Sequence, residues 1–330
     1  MKDKGKSKYC SIGGQALIEG IMMKGPDKTA VCVRMPDKSI STEYMQENNL
    51  KDKYPILKAP IIRGLGTFID SMKTGYKALM ISAEKSGFED EEQQTEPTKF
   101  EKWLDEKFGD KIMNVVMVIS TVLGIGIAVL LFFMLPTILY NFISPYLGTP
   151  ENTMIIRSVC EGLLRVIIFM IYLFFCSNIS YIKRVFQYHG AEHKTIFCYE
   201  ANKELTVENV KEFKRFHPRC GTSFIIISLI VGVIIGFFIP FENPVLRTTV
   251  KLLCLPIVMG LGYEAIRFCG KYDNWFTRII AAPGLWVQRI TTKEPDDEMI
   301  EVAIEALNAV KPDQPESCTE KCENDNRNDA

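Results

Sequence analysis

Apolar and polar positions along this chain are patterned on two length scales. The longer one separates an apolar middle from charged ends. Between Lys111 and Glu151 there is no Asp, Glu, Lys or Arg, a run well beyond the ~20 residues that cross a bilayer core. Four spans are predicted. The first covers roughly Ile112 to Ile143, with Pro136 bending it or marking its outer end. The second runs from about Ile155 to Ile182 and carries Arg157, Glu161 and Arg165 in its first half. The third, Thr222 to Phe241, is uncharged, and the fourth, Thr248 to Phe268, is the least apolar, with Lys251 at its start and Glu264 near its end. Helices are the expected form, because every backbone polar group must be satisfied within the bilayer. The first run is not a secretory signal, since a long polar region precedes it. The pattern therefore predicts a mainly α fold: a polytopic membrane protein with about four transmembrane helices, a small cytoplasmic N-terminal hairpin and amphipathic helices.

The shorter scale describes the flanks. Thr29 to Met35 and Ser39 to Met45 surround Pro36-Asp37-Lys38, the pattern of a short hairpin. After Pro60, apolar residues recur at Ile62, Leu65, Ile69, Met72, Tyr76, Leu79 and Ala83, which is helical spacing. Arg63, Asp70, Lys73 and Lys77 fall on the other side. That mixed-charge face favours packing on the bundle over lying on the membrane surface. Ser86 to Pro97 reads as an acidic flexible linker. Trp275 to Ile290 mixes Trp, Phe and Ile with Arg around Pro283-Gly284, as an interfacial segment does. Pro295 to Glu298 opens a helix to about Val310 with acidic residues in its first turn. The predicted division is 1–85 (cytoplasmic N-terminal region), 86–111 (linker and pre-membrane helix), 112–182 (first two spans), 183–221 (histidine-containing loop), 222–268 (last two spans), 269–310 (interfacial segment and helix) and 311–330 (disordered tail).

Charge adds an orientation. The whole-chain figures, 47% hydrophobic, 24% charged and a formal net charge of −1, conceal this segregation. Lys99, Lys102, Lys107 and Lys111 precede the first span, while Ser144 to Met154 carries no Lys or Arg. Basic residues return between Lys183 and Arg219, thin to Arg247 and Lys251, and return again at Arg267, Lys271 and Arg278. By the positive-inside rule both termini and the large middle loop are cytoplasmic. Of the 10 cysteines, Cys160, Cys176, Cys254 and Cys269 lie in apolar runs and read as small hydrophobes. Cys10, Cys32, Cys198 and Cys220 fall in predicted cytoplasmic segments, where thiols stay reduced. Cys318 and Cys322, in the polar tail, are a weak metal signal, so no disulfide is expected.

All 3 histidines, His189, His193 and His217, fall between the second and third spans. His189-Gly190-Ala191-Glu192-His193 is an H-x-x-E-H pattern, the reverse of the zincin motif and the signature of inverzincins. On a helix the two histidines would share a face and hold a divalent metal such as zinc, with Glu192 placed to act as general base. A further ligand would come from His217 or Cys220, with Glu200 and Glu264 as acidic candidates. The plainer reading is that membrane-proximal histidines simply hydrogen-bond, and Gly190 weakens a helix by ~1 kcal/mol relative to Ala. Ser11 to Gly25 is a dense glycine segment containing Glu19. It reads either as a loop packing near the histidines, with Glu19 as ligand or base, or as a turn followed by a short buried helix. Its Gly-Gly-Gln matches the release-factor tripeptide, but nothing else in the chain does. Glu161 and Arg165, one turn apart, read first as an ion pair and second as part of a transport path.

Four segments resemble the YqhQ-type membrane protein family of Firmicutes and other bacteria: GGQALIEGIMMKGP, YHGAEHKTIFCYE, HPRCGTSF and APGLWVQRITTKEPDDEMIEVAIEAL. Their order and spread, from about Cys10 to Val310, make the resemblance specific. It implies a multi-pass protein of the bacterial cell membrane, a predicted metal-dependent enzyme, with shared polar residues at Gln15, Glu19, His189, Glu192, His193, His217, Arg219 and Cys220. Three functions follow as expectations: a metal-dependent, hydrolase-like enzyme facing the cytoplasm; a non-catalytic scaffold or regulator for a cytoplasmic protein partner; and a small transporter, which would need to be a homo-oligomer. The lipid bilayer is an expected partner of all three. Nucleic acid is not expected, since no basic segment is interleaved with aromatics.

Overall fold

Strands β1 (Gly13–Leu17), β2 (Gly20–Lys24), β3 (Thr29–Arg34) and β4 (Ile40–Met45) form one antiparallel meander in sequence order. A computed structural model describes residues 12–46, 54, 57, 59–87, 110–146, 154–217, 220–271 and 274–312. Most of the predicted linker, Cys10, Lys99, Lys102, Lys107, most of the loop between the first two spans, Pro218, Arg219 and the tail with Cys318 and Cys322 lie outside those residues. The helices are α1 (Ile62–Lys85), α2 (Asp110–Val129), α3 (Leu135–Ile143), α4 (Met154–Cys176), α5 (Ser180–Glu200), α6 (Val207–Lys211), α7 (Gly221–Gly236), α8 (Pro244–Leu253), α9 (Leu255–Lys271), α10 (Trp275–Thr291) and α11 (Asp297–Val310).

The hairpin predicted around Pro36-Asp37-Lys38 is present, with Thr29 opposite Met45 and Arg34 opposite Ile40. The glycine segment before it is neither a loop nor a turn with a short helix. It is a second hairpin, β1–β2, with Leu17 opposite Gly20. Its connection, Ile18-Glu19, places Glu19 at φ 49° and is clamped by α1. The Ser82 hydroxyl accepts the Ile18 N–H at 3.0 Å and donates to the Ile18 carbonyl at 2.9 Å. The strand period of two then divides the sheet between two buried faces. Ile21, Met23, Ala30 and Cys32 pack with Tyr188 and Ala191 of α5 and with Ile300 and Leu307 of α11. Leu17, Met22, Val31 and Val33 pack with Ala78 of α1. The α11 helix starts where its acidic first turn predicts, with the Asp296 side chain accepting the Met299 N–H at 2.9 Å.

The α1 helix spans the predicted residues but packs by a different face. Gly64, Gly66, Gly75, Ala78 and Ser82 are its buried residues, while Ile62, Ile69, Met72, Tyr76 and Leu79 are exposed. Small residues let backbones approach closely: a Cβ on Gly64 would lie 2.7 Å from the Tyr263 Cβ, and one on Gly260 would lie 2.4 Å from the Ile61 carbonyl. The apolar stripe therefore points away from the bundle.

Among the described residues, two helices are long and apolar enough to cross a membrane, Val118–Tyr146 and Met154–Cys176. In the first, a π turn at Leu130–Met134 precedes Pro136 and carries the helix through the proline. The second ends earlier than predicted, because the helix breaks at 177–179 and α5 begins as a separate helix; much of the segment read as a loop is thus helical. The predicted fourth span is the bent pair α8–α9, turned by 51°, and counts as a third crossing if the pair is one span. The predicted third span, α7, has 16 residues, about 24 Å at ~1.5 Å per residue against a ~30 Å core. Apolar side chains along α2 and α4, including Val122, Leu123, Ile167 and Phe175, are exposed, as a lipid-facing surface requires.

Candidate metal centre

The H-x-x-E-H segment lies within α5, so His189 and His193 project from one face one turn apart. Gly190, between them, is explained by a close approach. A Cβ there would sit 2.0 Å from the carbonyl oxygen of Lys293, and the Lys293 N–H donates to the Phe186 carbonyl at 2.8 Å. The glycine thus lets the segment after α10 lie directly on α5. That approach brings the Thr291 carbonyl to His189, whose Nδ1–H donates to it at 2.8 Å.

His193 is held in the same way: its Nδ1–H donates to the Arg215 carbonyl at 2.5 Å. Both histidines therefore carry their proton on Nδ1 and keep the Nε2 lone pair free to bind. The His189 Nε2 lies 3.1 Å from the Cys220 Sγ. Ligand atoms of His189, His193 and Cys220 all lie within 4.8 Å of one another. Bonds of ~2.0–2.1 Å to nitrogen and ~2.3 Å to sulfur put the donors of a tetrahedral zinc roughly 3.3–3.7 Å apart, so these residues fit such an ion after small adjustments. Cys220 caps α7, where its sulfur accepts from the Thr222 N–H at 3.5 Å and from the Thr222 hydroxyl at 3.3 Å. Burial holds the His193 imidazole below its ordinary range, against the pull of Cys220 and the Arg215 carbonyl, which keeps it in the neutral form a ligand needs.

Glu192 faces the sheet beside the trio. It is 5% exposed, and its Oε2 has no hydrogen-bond partner among the described residues. Burial pushes the carboxyl up to about 6, opposed by His189 and by the Gly14 N–H. A Cβ on Gly14 would meet the Met22 carbonyl at 2.6 Å and the Glu192 Cδ at 3.0 Å, so this glycine is what lets β1 touch the carboxylate.

The other predicted residues stand apart from the trio. His217 forms a layer behind it, its ring centroid 5.5 Å from that of His193 and its Nε2 3.9 Å from Glu200. Gln288 holds the His217 backbone at both ends, accepting its N–H and donating to its carbonyl, each at 2.8 Å. Glu19 is paired with Arg184 and receives the Tyr188 hydroxyl at 3.2 Å. Gln15, on the opposite side of β1 from Gly14, packs against Gly75 of α1. Glu264 accepts from Nε and Nη2 along one edge of the Arg63 guanidinium at 2.6 and 2.7 Å, joining α1 to α9. Arg219 lies outside the described residues. The Thr291 and Arg215 carbonyls, Gln288, and Glu294, which bridges Lys194 and Arg215, carry no sequence signal for this role. The nearest hint is Gln288 as a polar residue amid an apolar run.

Fold and site together define a mainly helical, membrane-associated protein with an N-terminal antiparallel sheet and a partly buried His/His/Cys cluster. Residues 59–313 match the family described as "Protein of unknown function (DUF1385)". The chain is 35% identical over 299 residues to "Uncharacterized protein YqhQ" of Bacillus subtilis (strain 168), covering 90% of this chain and 91% of that one. The chain belongs to this YqhQ-type family. No solved structure matches.

Proposed function

We propose that this protein is a multi-pass membrane enzyme of the metal-dependent hydrolase type, with His189, His193 and Cys220 as ligands and Glu192 as general base. The observation that carries this reading is the fixed orientation of the two imidazoles: each donates Nδ1–H to a backbone carbonyl, and the remaining donor atoms converge with the Cys220 sulfur. Three protein ligands leave one position for water or substrate. A zinc ion held there supplies Lewis acidity and a water with its pKa lowered to ~7. Glu192 has a buried oxygen unused by any described residue, and in this reading it takes the proton from the attacking water. In this reading the chain crosses four times with cytoplasmic termini, and α5, which directly follows the second span, sits just beneath the inner leaflet. A substrate reaching the site from the membrane surface is consistent with that position.

A structural metal is the competing reading, favoured by the near-complete burial of His193, 2% exposed. Two variants separate the readings in cells where loss of the gene has a phenotype. Glu192→Gln keeps the metal and the fold under both. Under catalysis it fails to complement, as His193→Ala does; full complementation by Glu192→Gln would leave only the structural role. Metal analysis of the purified wild type comes first, and a metal-free, folded and functional protein rules out both.

A further inference from the structure

The α1 helix buries small residues and exposes large ones. Ile62, Ile69, Met72, Tyr76, Leu79 and Met80 are 38–59% exposed, and at ~3.6 residues per turn they fall in one arc of about 100°. An uncovered apolar face of this width marks an interaction surface. Lys73, Lys77 and Glu84 border it on one side and are exposed.

The helices beneath α1 indicate what covers that face. Gly64 meets α9 so closely that a Cβ on it would lie 2.7 Å from the Tyr263 Cβ and 3.0 Å from the Gly260 Cα. Phe68 packs on Phe224 of α7, with ring centroids 6.0 Å apart. The α9 helix is half of the apolar bent pair that ends at Cys269, and Gly260 lies ~14 Å along the helix from that end at ~1.5 Å per residue. Against a ~30 Å hydrocarbon core, the start of α1 is at membrane depth when the pair spans the bilayer. Ile257 and Leu261, on the flank of α9 beside that contact, are exposed as well. The apolar surface of α9 thus runs on into that of α1.

The charges at the joint fit the same position, because ionisable groups at membrane depth are paired. Glu161 of α4 accepts from Arg157 and Arg247, each at 3.0 Å, and from Lys251. Arg165, expected to pair with Glu161 across one turn, donates instead to the Phe132 carbonyl at 2.7 Å. Arg63, in the first turn of α1, is held in the same manner by both carboxylate oxygens of Glu264. That pair keeps the Arg63 charge off the hydrocarbon.

We propose that α1 is an interfacial membrane helix whose apolar stripe lies among the acyl chains of the cytoplasmic leaflet. Ile62 and Ile69 lie deepest, and Tyr76 lies near the head groups, where aromatic residues concentrate. This rests on the multi-pass reading of the chain and is independent of the metal. The mixed charge beside the stripe gives no preference for anionic lipid, so buried apolar area carries the contact. The other end of α1 clamps the β1–β2 turn through Ser82. The helix therefore seats the sheet, and with it Gly14 beside Glu192, against the membrane surface.

The test places the photocrosslinker p-benzoylphenylalanine at Ile69 or Met72 of the full-length protein in lipid nanodiscs, with Phe175 of α4 and Glu208 of α6 as reference positions. All four side chains are exposed, so the replacements leave the packing intact. After irradiation, mass spectrometry of the digested protein separates lipid adducts from protein adducts. The expected result is a lipid adduct at Ile69 and at Met72, as at Phe175, with a yield about tenfold or more above that at Glu208. Lipid adducts at Phe175 but not at both Ile69 and Met72 overturn the proposal and leave the multi-pass reading standing. A protein adduct in place of lipid, within the chain or to a second copy, overturns it too and names the occupant. The absence of a lipid adduct at Phe175 overturns the multi-pass reading, and the proposal with it.

Discussion

His189 Nε2 and Cys220 Sγ lie 3.1 Å apart although 31 residues separate them in the chain. The contact exists because α5 and the N-terminus of α7 are both held against the C-terminal end of α10, through Thr291 on one side and Gln288 on the other. A thiol at a helix N-terminus facing two oriented imidazoles is a donor set for a borderline-soft divalent ion.

The first prediction concerns the ligands. Replacing a group that merely orients a metal ligand costs ~10–100-fold in affinity, and replacing a ligand itself costs at least as much. His189→Ala, His193→Ala and Cys220→Ser each lower the zinc affinity of purified protein by 100-fold or more, as read by competition with a chelating dye. His217→Ala, one layer back, falls within ~10–100-fold. Equal losses for His217→Ala and Cys220→Ser would contradict the assignment of the trio.

Gly190→Ala separates helix propensity from packing. Propensity alone favours alanine in a helix by ~1 kcal/mol. The Lys293 carbonyl, 2.0 Å from the new Cβ, reverses the sign, and overpacking of this kind costs ~1–3 kcal/mol. Thermal unfolding in detergent shows a lowered midpoint. A midpoint at or above wild type means that the segment after α10 does not press on α5.

Much of this was legible in the sequence, for identifiable reasons. The apolar runs, the Pro36-Asp37-Lys38 hairpin and the acid-capped start of α11 each rest on a local pattern that tertiary structure did not need to change, whereas the H-x-x-E-H segment, read as part of a loop, is helical. The β1–β2 hairpin was hidden because its turn is Ile18-Glu19, with neither residue a usual turn former, and the clamp that holds it comes from Ser82. The packing face of α1 was misread because it is built of glycine, alanine and serine, which carry no hydrophobic signal. His217 and Cys220 were equal candidates in sequence, and only the path of the backbone past Gln288 separates them. The carbonyls of Thr291 and Arg215 belong to the main chain, so no side-chain pattern could announce them.

Glu294 gives a pH prediction. Burial pushes its carboxyl up, but hydrogen bonds from Lys194 and Arg215 outweigh that and hold it below the ordinary value of 4.5. A depressed folded-state pKa stabilises the fold above the unfolded value, and the contribution is lost as pH falls through the folded one. The side chain is 60% exposed, so solvent screening limits the effect to about 1 kcal/mol or less at low salt. Glu294→Gln therefore lowers the melting midpoint slightly at neutral pH, and the difference from wild type closes in acid below 4.5. A gap that persists unchanged into acid rules out the ion pairs as its source.

The Glu161 cluster predicts non-additivity. Glu161→Gln alone leaves Arg247 and Lys251 buried without their counter-charge, a situation that costs ~3–5 kcal/mol. Combining it with Lys251→Met removes one of those charges, so the double variant is less destabilised than the sum of the single ones by at least ~1 kcal/mol. Unfolding midpoints of the four proteins in one detergent give the coupling, and strict additivity would show that the contacts are not energetic ones.

The most direct test of the central claim is X-ray absorption at the zinc edge on full-length protein purified without chelator. The account predicts stoichiometric zinc with two nitrogen scatterers at ~2.0–2.1 Å and one sulfur at ~2.3 Å, the sulfur shell vanishing in Cys220→Ser. Zinc-free protein, or a shell with no sulfur in the wild type, would contradict it.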